Sequence, residues 1–423
     1  MKKIIYVFSV VFLFSCNNDE MSKIPKDNQK QFQRKRTNGN EFLSTEQAKI
    51  VAINFLSKNT KSNLSEIKIK SVENIIDYNK EIAVYYINFE PKGYVLVSSN
   101  ARNVPVIGFS EDDSFFLGND SSDGMKSWIA ESIILGDELE KMDKPIIEIQ
   151  NQWADLGIGN KAPPIDNEII YDAGIVNNQY GPLLQTSWGQ GTGYNNLSNF
   201  LNCSSYSNGR APSGCVATAT AQVMKFHQWP NSYNWSQMPN NYGTQTTSIL
   251  MRNIGDNIGM NYACGGSGAQ VGAARDALVN VFGYSTYASY NNYNSSTTAL
   301  DIKNNKPVIM DGFHTQTTNG WWLWEYTTNH DGHAWVCDGF KENFIRLIHN
   351  PGTIYEYETA GNYTNWFHMN WGWDSAGQGY SNNNGWFFSN QIYVNGVQIS
   401  VNGNAVNPNF QYNRKCIYNI RKP

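Results

Sequence analysis

The ten residues 213–222, SGCVATATAQ, constrain this chain more than any other stretch. Their small side chains predict a helix that can be buried on nearly all sides, with Ser213 as the expected N-cap. Cys215 then falls in the first turn, where orphan N–H groups and the helix dipole favour an anion. A thiol held there ionises more readily, and the thiolate is the nucleophilic form of cysteine. On this stretch alone, an unreactive core cysteine is an equal alternative.

A cysteine nucleophile needs a base and a group that orients the base, and the chain offers both further on. His333 opens a short predicted strand, residues 333–338, which is entered through a glycine. Asn370 is placed to orient the imidazole N–H, and Trp371 is placed to cover that bond from water. A cysteine at a helix start, a histidine on a strand and a later asparagine follow the chain order of papain-type cysteine proteases.

Other histidines offer weaker sites. His368 lies two residues before Asn370, on the same predicted strand face, and is a rival for the base. His330 and His333 form a His-x-x-His pair close to Cys337, which raises the question of zinc. No second ligand pair stands at the usual spacing, so we expect no metal.

Three motifs support the nucleophile and base together: GCVATATAQVMKFHQWP at 214–230, GHAWVCDG at 332–339 and NWGW at 370–373. Their order and spacing resemble the streptopain family of cysteine peptidases, with the closest likeness to its Bacteroidetes members. Residues 92–110 also resemble part of the family's propeptide, although alone they fit an ordinary strand hairpin. The resemblance implies a papain-like catalytic domain behind an inhibitory propeptide, which acts on protein or peptide substrates without a cofactor.

Carried over by motif, the resemblance makes Cys215 the nucleophile and His333 the base. Asn370 would orient the imidazole, and Trp371 would shield it. Gln190, in the segment WGQGTGY, matches a glutamine that donates to the oxyanion in the family. The Cys215 backbone N–H would be the second donor, aimed at the charge that develops on the tetrahedral oxygen.

Two loops are candidates for substrate contact. The glycine-rich loop 264–268, CGGSG, loosely matches a family loop that lines the substrate pocket, so Ser267 is an expected contact. Gly332, next to the base, is a second one. The stretch 319–326, NGWWLWEY, departs from the family pattern, and its tryptophans either wall the substrate cleft or pack on the sheet.

A change in composition divides the chain. Most Lys, Asp and Glu residues precede about Glu168, and the residues after it are rich in Asn, Gly, Ser, Tyr and Trp. Two prolines within 161–167 mark a linker. We therefore expect an inhibitory propeptide over 41–168 and a papain-like cysteine peptidase domain over 169–423. A net charge of −4 gives no reason to expect nucleic acid as a partner, and we expect a monomer.

The hydrophobic pattern predicts an α+β fold in both parts, with helices packed on an antiparallel sheet and the active site in the cleft between them. The propeptide elements are helices at 44–58 and 124–142 and strands at 67–75, 82–89 and 94–98. The catalytic elements are the Cys215 helix, a helix at 270–282, and strands at 307–311, 333–338, 344–348, 367–371 and 385–388.

The N-terminus predicts export. A basic start precedes an apolar stretch, 4–14, that is too short to span a bilayer as a stable anchor. LFSC at 13–16 then resembles a bacterial lipobox. We expect a signal peptide over 1–15, a lipid on Cys16 that anchors the protein to the membrane, and a polar tether over 16–40. This places the protein on the outer membrane or the cell surface. The alternative is an ordinary signal peptide cut near Ser15.

The chain's six cysteines are compatible with an oxidising compartment. Once Cys16 and Cys215 are set aside, four remain: Cys203, Cys264, Cys337 and Cys416. Four cysteines allow three pairings, among which the sequence does not choose.

These patterns predict an exported cysteine endopeptidase made as a zymogen, with an activating cut between about Asn160 and Gln179. Two alternatives stay open. The same cysteine and histidine would also serve another acyl transfer, such as amide hydrolysis on cell-wall peptide or transglutamination. A non-enzymatic surface binding protein would require the match of three motifs to be incidental.

Overall fold

A computed structural model describes residues 42–59, 67–77, 80–118, 121–160, 170–319, 326–352, 354, 356–373, 382–389, 393–394, 397–398, 400–401, 404–405 and 412–423. Within these ranges no helix is long and apolar enough to cross a membrane. The predicted signal peptide, the tether and Cys16 lie outside the described residues. The tryptophan-rich stretch at 320–325 lies outside them as well.

The described helices are α1 (Thr45–Asn59), α2 (Asp123–Glu140), α3 (Ile147–Asp155), α4 (Cys215–His227), α5 (Gln245–Asn257), α6 (Val271–Asn280) and α7 (Ser295–Lys303). The described strands are β1 (Lys68–Ile76), β2 (Ile82–Glu90), β3 (Tyr94–Ser98), β4 (Val106–Ser110), β5 (Ile170–Tyr180), β6 (Ser289–Asn292), β7 (Val308–Asn319), β8 (Tyr326–His349), β9 (Tyr357–Asn370), β10 (Gly385–Phe388), β11 (Tyr393–Val394), β12 (Val397–Gln398), β13 (Ser400–Val401), β14 (Asn404–Ala405) and β15 (Tyr412–Tyr418).

One antiparallel sheet of eleven described strands joins the two halves of the chain. Its order is β1-β2-β3-β4-β10-β9-β8-β7-β15-β6, and β5 pairs with the C-terminal part of β8. The junction lies between β4 and β10, where Trp386 stands opposite Phe109 and Phe387 stands opposite Gly108. The N-terminal strands therefore extend the same sheet that carries His333.

Buried apolar side chains form two clusters, and β8 contributes to both. One cluster includes Trp128 of α2 together with Trp335 and Cys337 of β8. The other contains α4, α5 and α6 residues together with Ala334 and Val336. Because side chains alternate along a strand, neighbouring residues of β8 face different clusters. The first cluster mixes residues from both sides of the predicted boundary, so the two parts of the chain share one core.

The predicted elements are confirmed to within a few residues for α1, α2, α4, α6, β1, β2, β3 and β10. The strands expected at 333–338 and 344–348 are not separate, because both belong to β8. The expected ends of the His333 strand are wrong, because β8 runs through Gly332 and Gly339 alike. Gly339 permits close packing here and makes no turn. A Cβ at this position would lie 2.7 Å from the Cβ of His368 and 2.9 Å from Cη2 of Trp386. The helices α3, α5 and α7 were not predicted.

Candidate active site

Cys215 is the first residue of α4, so its thiol lies at the positive end of the helix dipole, as predicted. It is 3% exposed and takes part in no disulfide. The N-cap is Gly214, with φ +90°, and the expected N-cap Ser213 is wrong. A Cβ at residue 214 would lie 2.6 Å from Cε of Met260 and 2.9 Å from the carbonyl oxygen of Ser267. Only glycine therefore lets the chain enter α4 this close to the neighbouring loop.

Gln190 lies next to the start of the catalytic helix. Its backbone carbonyl accepts a hydrogen bond from the N–H of Ser213 at 3.0 Å. The carbonyl of Gly189 accepts from Oγ1 of Thr218 at 3.3 Å. The structure thus places the Gln190 backbone beside the segment that leads into Cys215, and the role of its side chain as an oxyanion donor stays a prediction.

His333 is buried in β8, opposite Gly312 of β7. Its Nε2 lies 2.9 Å from the carbonyl oxygen of Trp371. Because a carbonyl only accepts, this bond requires the proton on Nε2 and leaves Nδ1 as the basic nitrogen. The ring stacks on Trp335 with 6.3 Å between centroids, and Trp373 lies at 6.0 Å.

Asn370, at the end of β9, bonds other groups in this structure. Its Nδ2 donates to the carbonyl of Thr186 at 2.6 Å. Its Oδ1 accepts from Nε2 of Gln222 at 3.1 Å and from the N–H of Gly372 at 3.3 Å. The carbonyl of Trp371 contacts the imidazole here, so the orienting role of Asn370 stays a prediction.

Gln222 is a site residue that the sequence analysis missed. It is fully buried on α4, where its Oε1 accepts from Oγ1 of Thr186 at 2.9 Å and from the N–H of Trp188 at 3.2 Å. Its Nε2 donates to Asn370, so it ties the catalytic helix to two other segments of the site. The signal was present, because a long polar side chain in a buried helix of small residues must find partners.

Trp371 is fully buried beside the imidazole. Its indole Nε1 donates to the carbonyl of Asn383 at 3.0 Å, and its N–H donates to Oδ1 of Asn384 at 3.0 Å. Its ring lies 5.3 Å from that of Trp335. Two asparagines from the segment before β10 therefore fix the residue whose carbonyl contacts His333.

Helix α2 lies directly on the imidazole. A Cβ on Gly124 would lie 2.8 Å from Cε3 of Trp335 and 3.0 Å from Cδ2 of His333. Ser122 caps the helix, and its side chain accepts from the N–H of Met125 at 3.5 Å. The first turn of α2 is therefore packed against this side of His333, and a substrate cannot occupy the same space.

A second contact from the N-terminal half reaches the site through Asn383. Its Oδ1 accepts from the N–H of Phe116 at 2.8 Å, and its Nδ2 donates to the Phe116 carbonyl at 2.7 Å. The Asn383 carbonyl accepts from the hydroxyl of Tyr94 at 3.3 Å and from the indole of Trp371. The N-terminal half thus bonds the residue that positions Trp371, which in turn contacts His333.

Asp311 is a buried carboxyl group close enough to Cys215 for their charges to interact. It stands opposite Ala334, which belongs to the cluster that α4 packs against. Burial raises the pKa of Asp311 to about 6, and a negative charge on Cys215 acts in the same direction. Hydrogen bonds from the Tyr290 hydroxyl and the Lys415 backbone N–H oppose that rise.

The predicted substrate contacts lie at two edges of the site. Ser267 is buried, its carbonyl faces Gly214, and its Oγ accepts from the N–H of Ala263 at 3.4 Å. Gly332 pairs with Phe313 in the β7–β8 ladder, next to His333. Whether either residue touches a substrate stays a prediction.

The cysteine pairing that the sequence left open is Cys203–Cys264, which fastens the loop carrying Ser267. Cys337 and Cys416 are buried thiols. Burial raises the pKa of both thiols well above the ordinary value, so they are unreactive near neutral pH.

His368, the rival base, pairs with a carboxylate of β8. Its Nδ1 lies 2.6 Å from Oδ1 of Asp338, whose Oδ2 accepts from the N–H of Leu184 at 3.0 Å. This pair holds the segment that leads into the catalytic half. The described part of the chain contains no group of three or more His, Cys, Asp or Glu residues that could hold a metal ion.

Replacing Asp311 by Asn should make stability less sensitive to pH between about 4 and 6. The folded pKa of about 6 exceeds the ordinary value of 3.8, so the folded chain binds this proton more tightly than the unfolded chain. Its stabilising effect is complete below pH 3.8 and is lost as pH rises through about 6. The free energy of unfolding of parent and Asp311→Asn, measured from pH 4 to 8, tests this. Identical pH profiles would contradict it.

Two known protein families match this chain, one on each side of the predicted boundary at about residue 168. Residues 188–234 and 231–381 match the peptidase C10 family, and residues 40–132 match the Spi protease inhibitor. The thiol protease/hemagglutinin PrtT of Porphyromonas gingivalis is 23% identical over 376 residues, which are 77% of this chain. The chain spans only 36% of that relative. Streptopain of Streptococcus pyogenes is 22% identical over 390 residues, covering 79% of this chain and 83% of streptopain.

A solved structure also shares the fold. A fragment of prointerpain A from Prevotella intermedia matches 84% of this chain and 99% of the fragment, with a TM-score of 0.52 and 19% identity. The expected papain-like α+β fold with an α+β propeptide is thereby confirmed. With its two family matches and its cysteine and histidine placed as above, the chain belongs to the peptidase C10 (streptopain) family of cysteine peptidases and carries a propeptide in front of its catalytic part.

Proposed function

We propose that this protein is an exported cysteine endopeptidase that cleaves proteins outside the cell once its propeptide has been removed. The observation that carries the proposal is the packing of α2 on His333, whose nearest approach is at Gly124. A contact of this kind blocks the base of a cysteine peptidase while leaving the catalytic helix intact. It supports a zymogen that needs only the departure of the propeptide to become active.

In the proposed reaction the Cys215 thiolate attacks the scissile carbonyl carbon and forms a tetrahedral intermediate. The oxyanion accepts hydrogen bonds from the Cys215 N–H and the side chain of Gln190. His333, as imidazolium, transfers its Nδ1 proton to the leaving amine as the C–N bond breaks. Water, deprotonated by the neutral imidazole, then attacks the thioester, and the thiolate leaves with the acid product freed.

Activation in this proposal moves His333 rather than Cys215. When α2 and Phe116 leave, Asn383 loses its partners from the propeptide, and Trp371 loses the constraint that they impose. The imidazole can then leave the Trp371 carbonyl. Asn370 directly precedes Trp371 in the chain. In that state its side chain orients the imidazole in place of the Trp371 carbonyl.

The proposed boundary is a propeptide over 41–168 and a catalytic domain over 169–423. The described elements support it, because α3 ends at Asp155 and β5 begins at Ile170. Since β5 pairs with β8 of the catalytic half, a cut before β5 leaves the catalytic sheet whole. We therefore place the cut that separates the propeptide from the catalytic domain within 161–169, inside the wider range that the sequence indicates.

Replacing Cys215 by Ala should reduce cleavage of casein by at least ~1,000-fold, because the attacking thiolate is gone. Shortening of the chain to a product that begins near Ile169 should stop as well, if that cut is autocatalytic. Gel and mass analysis over time measures both, with Cys337→Ala as a matched control that removes a buried, unreactive thiol. Casein cleavage by Cys215→Ala at the parent rate would contradict the assignment. Parallel assays on cell-wall peptide would distinguish a protein endopeptidase from an enzyme that carries out the rival acyl transfer.

Replacing Gly124 by Ala should weaken latency, since the new methyl group collides with Trp335 and His333 and pushes α2 away. The measurement is the rate at which an epoxide thiol reagent labels Cys215 in the intact chain, with mass analysis of the labelled site. Gly136→Ala is the matched control, because the atoms nearest to its methyl group belong to Asn103 within the propeptide. Equal labelling of parent and Gly124→Ala would contradict the proposal. An equal rise in the labelling rate of both variants would show that the substitutions destabilise the propeptide in general. It would not support a specific role for the contact with His333.

We further propose that Cys16 carries a lipid and that residues 16–40 tether the enzyme to the outer membrane or the cell surface. The lipobox-like LFSC supports this, and the Cys203–Cys264 disulfide is compatible with an oxidising compartment. The chain expressed in a bacterial host should incorporate labelled palmitate, and Cys16→Ala should not. Equal labelling of both chains would contradict lipidation at this residue.

A further inference from the structure

A buried ion pair joins the propeptide to the catalytic half, two helical turns away from the contact with His333. Arg414 of β15 donates from Nη2 to Oε1 of Glu131 on α2 at 2.5 Å. The two side chains are 1% and 2% exposed. Two charges withdrawn from water in this way are stable only while they face each other.

Aromatic rings complete the surroundings of the arginine. The guanidinium carbon of Arg414 lies 4.1 Å from the ring centroid of Trp128 and 5.3 Å from that of Tyr293. Trp128 precedes Glu131 by three residues, so one face of α2 presents both side chains to the same arginine. Trp128 also donates from Nε1 to the carbonyl of Phe388 at 2.8 Å. One turn of the propeptide helix therefore supplies an aromatic plane, a carboxylate and an indole N–H to the catalytic half.

The arginine cluster lies apart from the reacting groups. Glu131 follows Gly124 by seven residues, which corresponds to about 10 Å along a helix axis. The proposed mechanism assigns no step to Arg414, Tyr293 or Glu131. Their arrangement therefore needs an explanation outside the chemistry of the active site.

We propose that Arg414 and Tyr293 form a recognition pocket for a helix with a Trp-x-x-Glu pattern, and that this pocket keeps the propeptide bound after the linker is cut. The occupant is the chain's own propeptide. A cut within 161–169 then yields an inactive non-covalent complex, and activity requires a second event that removes or destroys α2. This inference rests on the proposed function, whose zymogen it describes further.

The remaining interface supports retention after the cut. The β4–β10 ladder continues across the junction, and one buried cluster contains side chains from both halves. Apolar burial is not selective about its partner, whereas a buried charge tolerates only the matching opposite charge. The ion pair thus makes the interface selective for the propeptide. The other contacts contribute buried apolar area.

The test uses the full chain with Cys215→Ala and a site-specific protease sequence inserted within 161–169. After the cut, size-exclusion chromatography on serial dilution measures how fast the two fragments separate. We expect the parent fragments to elute together. Glu131→Gln should raise the dissociation rate at least ~30-fold, because it leaves Arg414 buried opposite a neutral group. Glu138→Gln, whose partner Lys141 lies on the propeptide itself, should change the rate less than ~3-fold.

A double variant distinguishes loss of the ion pair from misfolding as the cause of faster dissociation. Glu131→Met combined with Arg414→Met removes both charges, and it should return the dissociation rate to within about threefold of the parent. Immediate separation of the parent fragments, slow dissociation of Glu131→Gln, or a double variant as fast as the single one would each overturn the proposal. No arm of the test uses peptide hydrolysis, so failure here and failure of the proposed peptidase function are distinguishable.

Discussion

The hydrogen bond between Nε2 of His333 and the carbonyl of Trp371 is the interaction on which the latent site depends. It fixes the orientation of the ring and the tautomer of the neutral imidazole. The contacts that hold Trp371 in place originate partly in the propeptide, through Asn383 and Phe116. The same propeptide packs α2 against the ring from the other side. The propeptide thus keeps the enzyme inactive by constraining the imidazole of His333. Cys215 already lies at the start of α4.

This arrangement follows from how the propeptide completes the fold. Strand β4 extends the catalytic sheet at β10, and α2 covers the face of the sheet to which Trp335 contributes. A propeptide attached by a sheet edge alone would leave His333 accessible, and one attached by α2 alone would bury little area. The two attachments together place Gly124, Trp128 and Glu131 in register with the residues they contact.

Some of the site could be predicted from the sequence because chemistry restricts residue types and spacing. The start of α4 at Cys215, the strand position of His333 and the position of Gln190 near the nucleophile are of this kind. The Trp371 carbonyl could not be predicted, since a backbone oxygen has no residue identity. Gly214 replaces Ser213 as the N-cap because Met260 and Ser267, far along the chain, occupy the space that a Cβ would need.

Other features depend on partners that no local pattern specifies. Gly124 would normally weaken a helix, and only its contact with His333 and Trp335 explains a glycine there. Gly339 suggested a strand end, whereas the side chains of His368 and Trp386 make it a point of close packing. In each case a residue of low local propensity is explained by a tertiary neighbour.

The central claim is that the propeptide suppresses the reaction by its position on His333. The most direct measurement is the imidazole ¹⁵N spectrum of His333 in the chain with Cys215→Ala, recorded before and after the propeptide is cut and removed. We expect a proton on Nε2 and slow exchange of that proton in the intact chain, with a changed resonance and faster exchange once the propeptide has gone. An unchanged spectrum after removal would contradict it.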